Sequence, residues 1–134
     1  MQDKSSLKAA HVWLDRARED ISWARYNFKG KYFTQVCFIT QQVVEKALKA
    51  FLRFQGVRIE AKYKTHDLVF LNKECQKFDS QFKNLKHKMQ ILNQYYAPTR
   101  YPEILTMAEY TNDIAQEAVS IAKDTVEFIS KKFK

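Results

Sequence analysis

Gln41-Gln42-Val43-Val44-Glu45-Lys46-Ala47-Leu48-Lys49-Ala50-Phe51-Leu52 is the stretch that decides the fold class. Its apolar residues recur at helical steps, and neither Gly nor Pro interrupts it. Extended back through Phe33, Val36 and Cys37, the apolar arc is too broad for a single seam. Such a helix is central and touches more than one neighbour. It is predicted over about 32–55, with Gly56 as its stop. Glu45 and Lys49 stand four apart, in the favourable order for a helical ion pair.

Upstream, Leu7, Ala10, Leu14, Ala17, Ile21, Ala24 and Phe28 alternate steps of three and four, which is one apolar seam on a long first helix. Asp15, Arg16, Arg18, Glu19 and Asp20 fall off that seam and are expected to face water. Gly30 is expected to end the helix by taking the left-handed conformation. Downstream, residues 57–65 are basic and polar and read as a connector. Thr65 is the expected N-cap of a short helix over about 67–77, with Asp67 near the positive end of its dipole. Asp79-Ser80 reads as a further cap, opening a helix through Phe82, Leu85, Met89 and Leu92 towards Tyr95.

Residues 96–102, with Pro98 and Pro102, are expected to form a loop. Thr106-Met107-Ala108-Glu109 has the form of a capping box ahead of a last helix built on Ile114, Ala118, Ile121, Thr125 and Phe128. No segment alternates like a strand or repeats. The expected fold is all-α, an up-and-down antiparallel helical bundle of about five helices, three long and two shorter, in one domain over 1–134.

Composition narrows the function classes. With 134 residues the chain can bury a core without staples, and 46% hydrophobic content argues against disorder. No apolar run approaches the roughly 18 residues of a membrane span, and the first residues lack a signal peptide's apolar core, so a cytoplasmic address is expected. Cys37 and Cys75 form no CxxC and are expected to be free thiols. The three histidines show no metal-ligand rhythm, and two glycines cannot make a phosphate loop, so neither metal nor cofactor is expected. The net charge of +8 would attract RNA, a phosphate-bearing ligand or an acidic protein, without choosing among them.

The Gln41–Leu52 run is followed by Thr65-His66-Asp67-Leu68 and then by Arg100-Tyr101-Pro102. Through these three stations, in this order, the chain resembles the HEPN family of prokaryotic helical-bundle domains over about residues 6–130. The resemblance implies a bundle, commonly a homodimer, acting in nucleotide or RNA biology. Several members of that family are metal-independent ribonucleases with an Arg-x(4–6)-His motif. Others accompany minimal nucleotidyltransferases as two-gene, toxin–antitoxin-like modules. The nuclease motif is absent here, because no His follows Arg100, and Arg58 is separated from His66 by seven residues. The non-catalytic branch therefore fits better: a module that binds a nucleotide, RNA or a nucleotidyltransferase partner. The alternatives are a ribonuclease with an unconventional Arg100–His66 pair and a purely structural dimerisation module.

Arg100, Tyr101, Lys46 and Lys49 are the residues expected to contact an anionic ligand, with Glu45 and Asp67 orienting them. An arginine between two prolines can offer its forked donors to phosphate while a tyrosine offers a stacking face. Equally, Arg100 could lock its loop to Glu45 or Asp67. Helical spacing puts Gln42, Lys46, Lys49 and Arg53 on one stripe, which is either a ligand ridge, a solvated face with local ion pairs, or a polar seam between protomers. His66 is either a general base near Asp67 or a structural residue bonded to a loop carbonyl. Trp13 and Trp23 lie near the first seam and serve either a dimer contact or the core.

Overall fold

The computed structural model describes residues 3–96 and 110–133. The expected loop at 96–102, apart from Tyr96, and residues 106–109 therefore lie outside the described residues, and Arg100 and Tyr101 with them. The last helix is capped not by Thr106 but by Thr111, whose hydroxyl accepts from the Ile114 N–H. Five α-helices are described: α1 (Lys4–Lys29), α2 (Phe33–Phe54), α3 (Leu68–Gln76), α4 (Lys86–Asn93) and α5 (Asn112–Lys131). Short 3-10 turns at Ala61–Tyr63 and Ser80–Leu85 complete the described elements, and none is a strand.

α2 is the axle. It packs against α1, α3, α4 and α5, so most of its surface is covered. Val43, Val44, Ala47, Leu48 and Leu52 are fully buried, as the broad apolar arc requires. The first seam is also found, with Ala10, Leu14, Ala17, Ile21 and Ala24 buried on α1. Lys46 reaches Asp20 at 2.5 Å and Lys49 lies over Trp13, so rising numbers on α2 meet falling numbers on α1 and the two helices are antiparallel. At one end of the core Phe82 joins Phe51 of α2 to Phe128 of α5, with ring centroids 4.5 and 5.0 Å apart. Cys37 and Cys75 are free and buried; burial alone pushes the Cys37 thiol up to about 12, far from a reactive thiolate.

Helix ends follow local chemistry. Gly56, at φ 89°, closes α2: its N–H bonds to Arg53 O and the next N–H, of Val57, reaches back to Leu52 O. α1 ends differently from expectation. Gly30 sits at φ −79°, and Lys31 takes the left-handed turn at φ 65°. The glycine answers to space there, because a Cβ on Gly30 would stand 2.8 Å from the Tyr32 ring. A second correction concerns α3, whose N-cap is Asp67 rather than Thr65; the Asp67 carboxylate accepts from the N–H groups of Val69 and Phe70. Thr65 sits two residues earlier, its hydroxyl accepting from the Asp67 N–H.

The connector then doubles back along α2. Val57 is bonded beside Leu52, while His66 arrives beside Gln41 and Glu45. Glu74 anchors this return, bonded to Lys77, Lys62 and the Tyr63 hydroxyl; Lys77 above all holds its carboxyl below the ordinary value of 4.5. The consequence for function is positional: the start of α3 is delivered to the middle of α2. Among the described residues no helix is long and apolar enough to cross a membrane.

Candidate functional site

α2 carries polar side chains on a face that should have been apolar. Gln41, Glu45 and Lys49 follow one another at four-residue steps and are 0%, 8% and 5% exposed. Buried charges persist only when paired. Lys49 Nζ donates to Glu45 Oε2 at 2.9 Å, and its ammonium lies 5.7 Å from the Trp13 ring centroid. The other Glu45 oxygen, Oε1, meets His66 Nδ1 at 2.7 Å. Gln41 Nε2 donates to the His66 backbone carbonyl at 2.9 Å, which fixes the main chain that carries the ring.

These contacts set the histidine's chemistry. A carboxylate oxygen accepts, so Nδ1 carries the hydrogen of this contact and Nε2 is turned away from Glu45. The ring stacks on Tyr96, centroids 4.6 Å apart and planes 21° from parallel. Half of the His66 side chain is nevertheless exposed, at 53%. It opens on a surface groove of about 380 Å³ lined by Thr65, His66, Asp67, Asn93, Gln94 and Tyr96.

Asn93, at the end of α4, ties that groove together. Its Oδ1 accepts from the Leu68 N–H at 2.9 Å and its Nδ2 donates to Asp67 Oδ1 at 3.1 Å. Asp67 thus spends its carboxylate on the α3 cap and on Asn93. Among the groove's described lining residues Asp67 is acidic and none is Lys or Arg. An anion would need a further cation, and Arg100 lies four residues beyond Tyr96 in the sequence.

The stripe read from the sequence divides. Lys49 turns inward to Glu45, Lys46 pairs with Asp20 of α1, and Arg53 donates to the Val57 carbonyl at 3.3 Å. The solvated-face reading of Lys49 is thereby corrected: the pair is local but interior. His66 is neither bonded to a loop carbonyl through its ring nor set against Asp67; its ring partner is Glu45. Trp23 is 49% exposed, while Trp13 is half-buried against the core. Sequence reasoning missed Gln41 and Asn93. The i, i+4, i+8 spacing of Gln41, Glu45 and Lys49 was a signal that could have found the first; nothing local marks Asn93, whose partners lie 25 and 26 residues away.

Residues 10–132 match the family model of the HEPN domain. The chain belongs to the HEPN domain family. This HEPN chain is 27% identical over 139 aligned residues to a Methanocaldococcus jannaschii protein named "Putative toxin MJ1304", covering 96% of the chain and 91% of that protein. Its fold is similar to the crystal structure of ST0689, an archaeal HEPN homologue, at a TM-score of 0.74 and 26% identity, covering 93% of this chain and 98% of that one. It is also similar to the crystal structure of TT1696 from Thermus thermophilus, at a TM-score of 0.81 and 27% identity, covering 92% and 97%.

Proposed function

We propose that this HEPN chain is the toxin-like half of a prokaryotic two-component module that binds a nucleotide or RNA through the His66 groove. The observation that carries this reading is the groove itself, where a histidine anchored on a buried carboxylate stacks on Tyr96 among amide and carboxylate groups. Aromatic faces and hydrogen-bonding edges suit a base and its sugar. The described charges there do not suit a phosphate, so the phosphate falls to Arg100, with Tyr101 stacking beside it. Glu45 orients His66, and Asp67 orients Asn93. Lys49 pairs with Glu45 from behind, while Lys46 reaches a ligand only by leaving Asp20. The toxin-like relative supports the two-component setting; a minimal nucleotidyltransferase as partner and a homodimer as the assembled form are what the family resemblance implies.

A second reading is favoured by one observation. The 2.7 Å contact between Glu45 and His66 is the arrangement of a carboxylate-oriented general base. Paired with Arg100, such a histidine could take a proton from a ribose hydroxyl and make the groove a ribonuclease site.

Affinity isolation of the tagged protein from its host, with native mass spectrometry, tests the two-component reading. A stoichiometric nucleotidyltransferase, or a retained nucleotide or RNA, is the expected result. Recovery of the chain alone, with neither, contradicts it.

A further inference from the structure

A recess larger than the His66 groove lies elsewhere. α1 and α5 both rest on α2 and run antiparallel to one another, bridged where Arg18 Nη2 donates to Ser130 Oγ at 2.9 Å. Between them is an open channel of about 780 Å³ with Ile21 and Val126 on its floor. It is continued by a recess of about 370 Å³ floored by Phe28 and Val119, with Arg25 and Lys123 lining both. Five cations line the two recesses (Arg18, Arg25, Lys29, Lys123 and Lys131) with Glu127, and Asp15 pairs with Arg18 at 3.3 Å, a net +3. This cationic face shares no residue with the His66 groove.

We propose that this channel docks an acidic amphipathic helix of a partner protein. From Arg18 to Lys29 the cations span eleven helical steps, about 17 Å at ~1.5 Å per residue, which is the length of roughly three turns of a third helix. Two helices with an apolar floor between them receive such a helix by ridges-into-grooves packing. Cationic rims select carboxylates on its flanks and exclude basic partners. A single-stranded nucleic acid fits this channel less well. It needs exposed aromatic faces beside its phosphate contacts. The exposed aromatics of α1, Trp23 and Tyr26, are not among the lining residues, and the lining ring of Phe28 is packed against Phe33. The proposal stands whatever the His66 groove binds.

Fluorescence anisotropy tests it with three labelled probes: a designed helical peptide with leucines on one face and glutamates on both flanks, a scramble of the same composition, and an oligouridylate of equal charge. The expected result is saturable micromolar binding of the helical peptide, at least tenfold weaker for its scramble and for the RNA. Arg25→Glu/Lys123→Glu should lose about tenfold or more, and the charge-matched Lys83→Glu/Lys86→Glu should not, with both variants folded by circular dichroism. Equal binding of peptide and scramble, tighter binding of the RNA, equal losses in both variants, or no saturable binding would each overturn it.

Discussion

Lys49 carries its charge into the interior, and Glu45 is what allows it to stay there. The two side chains are 6% and 11% exposed, so removing one strands the other in a poorly solvating environment. Glu45→Ala should therefore cost about 3–5 kcal/mol in urea unfolding, whereas the double replacement Glu45→Leu/Lys49→Met should stay within about 1 kcal/mol of the parent. Equal costs for the single and double variants would mean the pair is not a coupled buried unit. Lys46 and Asp20, at 28% and 17% exposure, form the milder contrast. At this scale sequence reading succeeded in part. The i,i+4 order of Glu45 and Lys49 was legible, whereas the contact of Glu45 with His66 was not. Nor was the burial of the pair, because depth depends on the connector that returns His66 to the side of α2. Lys and Glu at helical spacing look the same on a wet face as on a covered one.

Element ends explain how the groove keeps its shape. α3 begins at a carboxylate shared between two backbone N–H groups of its own first turn and the amide of Asn93 on α4. Asp67→Ala should cost about 1–2 kcal/mol, the usual worth of a lost N-cap with an accompanying side-chain bond. Thr65→Ala should cost less, since its hydroxyl meets only the Asp67 N–H. Thermal or urea unfolding checks both; a larger loss at Thr65 would restore it as the cap. The sequence reading took Thr65 as the cap and gave Asp67 only the dipole, and only the backbone shows that the Asp67 carboxyl faces the free N–H groups. Gly56 was legible because its left-handed φ is what a helix stop asks of glycine. Gly30 was not, because its reason is the Tyr32 ring lying over it.

For the whole molecule, the all-helical class, the central place of α2 and the apolar seam of α1 were legible, as was the number of helices among the described residues, because each rests on periodicity over many residues. Convergence was not. Glu45 on α2, His66 before α3, and Asn93 and Tyr96 around the end of α4 meet at one groove only through the path of the chain between them. Family membership supplies the fold and a toxin-like relative, and the groove's chemistry supplies the reading of what it holds.

Binding at the His66 groove is best put to the test by native gel retention of a short single-stranded RNA in EDTA, comparing the parent protein with His66→Ala and Arg100→Ala. Retention by the parent is expected, with a loss of at least tenfold in affinity in each variant and cleaved RNA in the parent lane alone if the ribonuclease reading is correct. Retention unchanged in both variants, or none by the parent for RNA and free nucleotides alike, would contradict a ligand site in that groove.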